Sequence, residues 1–69
     1  MAKYRVNQNR QSPRYDHEVH REGCQWWPTQ SYYELGEHAS CHTAVAQAKA
    51  QYYADANGCR TCSPQCHRG

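Results

Sequence analysis

Two short segments of the sequence carry histidine and cysteine at the spacings that zinc sites use. His20 and Cys24 are separated by three residues, and Cys59 and Cys62 are separated by two. Spacings this short let both side chains of a pair turn toward one ion, and one imidazole with three thiolates completes the tetrahedral shell of a structural zinc site. A glycine precedes the first cysteine of each segment, which favours a tight turn there. The sequence therefore predicts a site with Zn²⁺ as its cofactor.

The other two cysteines leave alternatives open. Cys66 could replace His20 and give a site of four cysteines. Cys41 falls in the first turn of a predicted helix, where the helix dipole favours a thiolate, so it is a candidate reactive thiol. It also lies on the predicted inward face, where a cysteine packs as a small apolar side chain, and we favour this interpretation. A disulfide framework fits the odd number of cysteines and the Cys-x2-Cys spacing less well than zinc does.

The composition leaves little material for a hydrophobic core. Only 38% of the 69 residues are hydrophobic, the mean hydropathy is -1.20, and the sequence has neither phenylalanine nor isoleucine. Chains this short usually need a metal, disulfides or a partner to supplement the core. Binding of a structural zinc ion contributes on the order of 10 kcal/mol to the folding of zinc-finger peptides, so we expect the metal-free chain to be unfolded.

A disordered basic tail is predicted over residues 1–14, ahead of a zinc-binding module over residues 15–69. The tail has a charge of +4 and mostly polar side chains, so it lacks the material to bury a core, and the rest of the chain has a net charge of −2. Such an arm could bind nucleic acid weakly and without sequence preference, although we favour a solubilising terminus. The candidate phosphate contacts are Lys3, Arg5, Arg10 and Arg14.

The module is predicted to be an α+β fold, a short two-stranded antiparallel sheet packed on one helix. The strands are expected over residues 15–20 and 31–35, the second ending at Gly36, and the helix over residues 41–53 after the N-cap Ser40. Asn57-Gly58 is expected to stop the helix and turn the chain into the second cysteine pair. The predicted inward stripe of the helix consists of Cys41, Ala44, Val45, Ala48 and Tyr52.

Two adjacent tryptophans, Trp26 and Trp27, follow the first predicted ligand pair. In a chain so poor in aliphatic residues, we expect at least one of them to be buried as part of the core. The alternative is that both are displayed as a platform on which nucleic-acid bases stack.

The order of these motifs resembles that of a known zinc module. The matching stretches are Val19–Cys24, Ala39–Ala48 and Asn57–Cys62, which together span residues 19–62. A histidine or cysteine followed by x3-Cys, then a strand, a helix of the form Ser-Cys-x-x-Ala-Val-x-x-Ala and a glycine-led Cys-x2-Cys, is similar to the N-terminal zinc domain of the Ada DNA-repair protein. Similar small modules are appended to some bacterial nucleases. The resemblance implies a zinc-binding α+β unit.

In Ada, the first of four zinc-bound thiolates accepts a methyl group from a DNA phosphotriester, and His20 matches that position here. An imidazole lacks the nucleophilic charge of a thiolate, so the resemblance does not bring the methyl transfer with it. We therefore expect a structural metal site, without catalytic residues or a small-molecule substrate, in a binding or accessory domain for nucleic acid or protein. The alternative is a zinc-thiolate centre that accepts alkyl groups or senses oxidants through a ligating cysteine.

The compartment is inferred from apolar patterning and cysteine usage. The first residues contain no apolar run that resembles a signal sequence, and no stretch approaches the ~20 apolar residues of a transmembrane helix. A reducing compartment also keeps zinc-binding thiols available. We therefore expect a cytoplasmic protein without a membrane partner.

Overall fold

The computed structural model describes residues 1–9 and 16–67 and has an α+β fold, a four-stranded sheet with one α-helix packed on one face. The α+β class is as predicted, whereas the sheet has four strands instead of two. The elements are β1 (Ala2–Asn7), β2 (His17–Arg21), β3 (Tyr32–His38), α1 (Cys41–Gln51), β4 (Ala56–Gly58) and a 3₁₀ helix (Pro64–Cys66). The strand order is β3-β1-β2-β4, with β1 antiparallel to both of its neighbours and β4 parallel to β2.

Strand β1 corrects the prediction of a disordered tail, because residues 2–7 form an interior strand of the sheet. Tyr4 and Val6, which are 4% and 0% exposed, alternate with polar residues and face the core. This period of two is the pattern of a strand with one buried face. The high polar content of residues 1–14 concealed it, because only two large apolar side chains are needed to fix a strand against a helix.

Strand β3 extends beyond its predicted end at Gly36. The register with β1 pairs Tyr4 with Gly36 and Arg5 with Glu34, so that Leu35 is the extra residue of a β-bulge. Gly36 has a φ of 80°, a conformation that side-chain-bearing residues rarely adopt. The glycine therefore bends the strand and does not terminate it.

Helix α1 begins after Ser40, as predicted, and ends at Gln51. The core that it forms with the sheet consists of Tyr4, Val6, Val19, Leu35, Cys41, Ala44, Val45, Ala48 and Ala56. Four members of the predicted inward stripe are therefore buried. Tyr52 lies beyond the helix, and its exposed ring stacks on Tyr33 with 4.1 Å between ring centroids. Neither helix in the described part of the chain has the length and apolar character needed to cross a membrane.

Strand β4 replaces the turn that was predicted at Asn57-Gly58. The helix has already ended six residues earlier, and Ala56–Gly58 pairs with β2 through the register His17 with Ala56 and Val19 with Gly58. A Cβ atom at Gly58 would lie 2.7 Å from the Cβ atom of Cys66. Glycine is needed here because the 3₁₀ helix packs directly on the strand, and not because of a positive φ.

Candidate metal centre

The parallel pairing of β2 and β4 brings the two predicted ligand pairs to the same end of the sheet. His20 lies in β2, Cys24 in the turn that follows it, and Cys59 directly after β4, where its backbone N–H donates to the carbonyl oxygen of Val19 at 2.9 Å. Cys62 follows in the next turn. As predicted, the four side chains come together in a cluster that could hold a metal ion, with all four ligand atoms within 4.8 Å of one another.

The distances within the cluster fit a tetrahedral ion. His20 Nδ1 lies 3.8 Å from Cys24 Sγ, and Cys24 Sγ lies 3.9 Å from Cys59 Sγ. With zinc–sulfur bonds of about 2.3 Å, the sulfurs of a regular tetrahedron are separated by about 3.8 Å. No side chain would have to move far for the four donors to share one ion.

Both turns are held by backbone hydrogen bonds. In the first turn, the N–H of Cys24 donates to the carbonyl oxygen of Arg21 at 3.0 Å, and that of Trp27 donates to the carbonyl oxygen of Cys24 at 2.9 Å. Gly23 has a φ of 97°, so it supplies the left-handed conformation that was predicted for it. In the second turn, the N–H of Ser63 donates to the carbonyl oxygen of Cys59 at 2.8 Å.

The thiol sulfurs accept hydrogen bonds from backbone N–H groups. The N–H of Arg21 donates to Cys62 Sγ at 3.2 Å, and that of Trp26 donates to Cys24 Sγ at 3.4 Å. Such donors stabilise the negative charge of a metal-bound thiolate. Burial is nevertheless the larger influence and raises the pKa of the Cys59 and Cys62 thiols, so a metal ion must displace a proton from each of them at neutral pH.

The His20 ring is 0% exposed, although it lies on the face of the sheet opposite α1. The register shows this, because Val6 and Val19 are paired on the helix-covered face whereas Arg5 and His20 are paired on the other. Burial lowers the pKa of His20 from 6.5 to about 4, so its imidazole is neutral at physiological pH, as a metal ligand must be. The Glu18 carboxylate lies 3.7 Å from Nε2, and Nδ1 is the ring nitrogen that lies next to Cys24 Sγ.

Cys41 is buried in the core, as the favoured interpretation predicted, but it forms a disulfide with Cys66, which corrects the two alternative roles of reactive thiol and fourth ligand. Cys66 does not replace His20 in the cluster, and Cys41 is not a free thiol in this structure. The reason is that α1 points Cys41 inward at its first residue while the 3₁₀ helix brings Cys66 onto the same core. The cysteines that remain free are Cys24, Cys59 and Cys62. No local pattern predicts this pairing, because the two cysteines are 25 residues apart and meet only after the chain has crossed from α1 into β4.

Arg5 is engaged within the protein and not available as a phosphate contact. Its guanidinium carbon lies 4.5 Å from the ring centroid of Trp27 and 4.0 Å from that of Tyr32. The group also donates to both carboxylate oxygens of Glu34 at 3.2 Å and to the carbonyl oxygen of Pro28 at 2.9 Å. Of the other candidate contacts, Lys3 is exposed on β1, whereas Arg10 and Arg14 lie outside the described residues.

The expectation that at least one tryptophan is buried is wrong. Trp26 is 55% exposed, and Trp27 is half-buried against Arg5 on the face without the helix. Tyr4 and small alanines fill the core instead. The alternation of apolar and polar residues in the first strand could have indicated that Tyr4 is in the core, because Tyr4 lies on the same face of the strand as Val6.

Comparisons with protein-family models, curated protein sequences and solved structures found no match to this chain. The resemblance to the Ada zinc domain therefore gains no support from them. The case for a metal site depends on the geometry and chemistry of the cluster itself.

Proposed function

We propose that this protein is a small module stabilised by a structural zinc ion, which serves as a binding or accessory domain for nucleic acid or protein. The observation that carries the proposal is the convergence of one imidazole and three thiols, from segments 35 or more residues apart, within 4.8 Å. Sulfur and imidazole donors in a tetrahedral arrangement are typical of Zn²⁺ sites, whereas Mg²⁺ and Ca²⁺ take oxygen ligands. Four protein donors leave no open position for a substrate, which favours a structural ion.

The proposed ion would connect parts of the fold that share few apolar contacts. It would link the turn after β2 with the segment after β4, on the face of the sheet that α1 leaves uncovered. Cys59 is the one buried cysteine of the cluster, and it is not a member of the hydrophobic core, so the proposed ion would take the place of a core on that face. This is how small domains with little apolar material usually gain stability.

The test is metal analysis of the purified protein with its Cys41–Cys66 disulfide intact. We expect about one zinc ion per chain, lost in Cys59→Ser and bound at least ~10-fold more weakly in His20→Ala. His42→Ala and Cys66→Ser are the matched controls, because each removes the same residue type outside the cluster, and both should keep the ion. Cys66→Ser also breaks the disulfide, so it is compared with the wild-type protein after reduction. Zinc retention by Cys59→Ser, or its loss in the two controls alone, would overturn the proposal.

The partner is proposed from exposure and charge. Trp26 projects from the turn that carries Cys24, and Lys3 is exposed on β1. With Arg5 engaged, Lys3, Arg10 and Arg14 are the remaining basic residues of the first fourteen. If all three contact phosphates, the slope of log K against log salt for duplex DNA should be no steeper than about −2.7. Deletion of residues 1–14 would remove β1, so the proper test is the triple alanine variant, which should abolish this weak binding and keep the fold.

A second candidate function is a zinc-thiolate centre that accepts alkyl groups or senses oxidants. It is favoured by the half-buried positions of Cys24 and Cys62, which line an open cleft of about 510 Å³. The N–H groups that donate to these sulfurs reduce their nucleophilicity, which argues for the structural role. S-methylation of Cys24 or Cys62 by a methyl donor, detected by mass spectrometry, would support the second function. Zinc release by stoichiometric peroxide would support it as a sensor.

We further propose that the protein works in a reducing compartment, the cytoplasm. The three cluster thiols must remain reduced to bind zinc, because a thiolate and not a disulfide is the ligand. Mass spectrometry of alkylated protein from cells should find Cys24, Cys59 and Cys62 without disulfides. A disulfide between any two of them in freshly lysed cells would contradict the proposal.

A further inference from the structure

A second group of metal-binding residue types lies away from the zinc cluster. Cys41, His42 and Cys66 place their ligand atoms within 4.8 Å of one another. The two cysteines form the disulfide in this structure, and the His42 side chain is exposed beside them. His42 and Cys66 line a cleft of about 350 Å³, into which solvent, a reductant or an ion can enter.

We propose that the Cys41–Cys66 pair is a reversible dithiol–disulfide couple whose reduced form, with His42, binds a second Zn²⁺ ion. Two thiolates and an imidazole are soft or borderline donors that suit zinc. His67 lines the same cleft, and its Nδ1 lies 3.1 Å from the carbonyl oxygen of Gly58. This hydrogen bond holds His67 at the edge of the cleft, and a water molecule completes the shell of the three protein donors.

The location of the pair favours this chemistry. Cys41 is the first residue of α1, where the unpaired N–H groups of the helix carry partial positive charge and stabilise a thiolate. Two thiolates would leave a net charge of zero with Zn²⁺, so the reduced pair need not carry a buried negative charge. The start of α1 therefore stabilises the Cys41 thiolate when it leaves the disulfide during reduction, and again when it binds the ion.

The redox step needs a dithiol reductant. Its thiolate attacks the half-buried Cys66 sulfur, the S–S bond breaks, and Cys41 leaves as a thiolate. The second thiol of the reductant then attacks the mixed disulfide and releases Cys66. The reductant loses two electrons and becomes a disulfide, while the protein gains two electrons and two protons. Zinc binding displaces those two protons, so oxidation and metal binding exclude one another at this site.

The test measures zinc per chain in the oxidised protein and after reduction by a water-soluble phosphine, which does not remove zinc and leaves as the phosphine oxide. We expect about one ion in the oxidised form and about two in the reduced form. In reduced Cys41→Ser and Cys66→Ser, the number should return to about one. His42→Ala should weaken the second ion at least ~10-fold, whereas His38→Ala, a nearby histidine outside the group, should not.

Reaction with iodoacetamide keeps the proposal testable if a cysteine variant does not fold. In the reduced wild-type protein, zinc should protect Cys41 and Cys66 from alkylation, and both should react once zinc is removed. About one ion in both redox states, or two in both, would overturn the inference. No ion in the oxidised form and one in the reduced form, lost in Cys41→Ser, would support the second site and contradict the structural zinc site.

Discussion

The molecule contains cysteines in two chemical states, three free thiols in the cluster with His20 and a disulfide between Cys41 and Cys66. The cluster thiols lie at the ends of two parallel strands, near a neutral imidazole and backbone N–H donors. Cys41 instead lies in the apolar core, and Cys66 packs against that core from the 3₁₀ helix. The cluster has four donors around one point, whereas the disulfide joins two segments directly.

This difference shows that surroundings decide what a cysteine does in so small a protein. N–H donors and an imidazole prepare a site for an ion, because they stabilise thiolate charge and supply a neutral fourth ligand. Packing against the apolar core favours an uncharged bond between the sulfurs of Cys41 and Cys66. The predictions below test whether the two regions contribute to stability as differently as their surroundings indicate.

The largest expected effect is the loss of the fold when metal is removed. A chelator at neutral pH should abolish the cooperative thermal transition, because the proposed ion would contribute on the order of 10 kcal/mol and the apolar core is small. Reduction of the Cys41–Cys66 disulfide, which closes a loop of about 25 residues, should cost about 3 kcal/mol and leave a transition. Calorimetry measures both changes. A cooperative transition that survives excess chelator would show that the disulfide, and not the ion, holds the fold.

The second effect is a steep dependence of zinc affinity on pH. An ordinary thiol is protonated at pH 7, and in the fold burial raises the pKa of the Cys59 and Cys62 thiols further, so both must lose a proton to bind the ion and affinity falls as pH falls. Each displaced proton contributes about a 10-fold change in affinity per pH unit, so these two thiols give a change of at least about 100-fold. Competition with a chelator of known protonation behaviour measures this slope between pH 6 and pH 8.

His20 should steepen that slope below about pH 6.5, because the metal-free chain is expected to be unfolded and takes up a proton at this histidine near its ordinary pKa of 6.5. In the fold, burial lowers its pKa to about 4, so the His20 contribution to stability is full above pH 6.5 and is lost as pH falls through about 4. A slope that does not change near pH 6.5 would mean that the metal-free chain keeps the fold, in which His20 is already neutral.

The sequence was sufficient to predict the cluster, the helix and the α+β class, because these depend on local spacing and composition. His20, Cys24, Cys59 and Cys62 are grouped by short intervals within each pair, and α1 has a clear N-cap and an apolar stripe. The number of strands was underestimated for two reasons. Strand β1 is mostly polar and has only Tyr4 and Val6 facing the core, and β4 is only three residues long.

The disulfide and the arginine stack could not be predicted for a related reason. Cys41 meets Cys66 because the chain crosses from α1 into β4, and Arg5 meets Trp27 because β1 lies in the interior of the sheet. Both contacts are consequences of strand order. A sequence reveals strand order only after every strand has been found.

Gly58 lies between the two regions, and its substitution should affect both. In Gly58→Ala, the new Cβ would lie 2.7 Å from the Cβ atom of Cys66 and 2.9 Å from the carbonyl oxygen of Ser63. Such overpacking typically costs about 1–3 kcal/mol. Denaturant unfolding should show this loss, together with weaker zinc binding, because Cys59 follows directly.

Gly36 provides the matched control, because it has a φ of 80° and no atom within 4 Å of an added Cβ. Its cost in Gly36→Ala is conformational, about 1 kcal/mol, and Gly36→Asn should recover part of it, since asparagine tolerates this conformation. Gly58→Asn should be worse than Gly58→Ala. If asparagine is tolerated better than alanine at Gly58, backbone conformation and not packing is the constraint there.

The smallest expected effect tests whether the loop that carries Cys24 is held independently of the disulfide. Arg5→Lys keeps the charge but loses the paired hydrogen bonds to Glu34, the bond to the Pro28 carbonyl oxygen and the planar contact with Trp27. We expect about 1 kcal/mol less stability and zinc affinity lower by about 3- to 5-fold, because this loop becomes more mobile. The rate at which a dithiol reduces the Cys41–Cys66 bond should not change.

Lys3→Arg is the control for this substitution, since it exchanges the same two residue types at an exposed position on the same strand. It should change stability by less than about 0.5 kcal/mol. Chemical denaturation and zinc competition on the two variants distinguish the contribution of the Arg5 contacts from that of its positive charge. If Arg5→Lys behaves like Lys3→Arg, the metal alone holds the loop. If it accelerates reduction of the disulfide, the two cysteine regions are coupled through the sheet and are not independent.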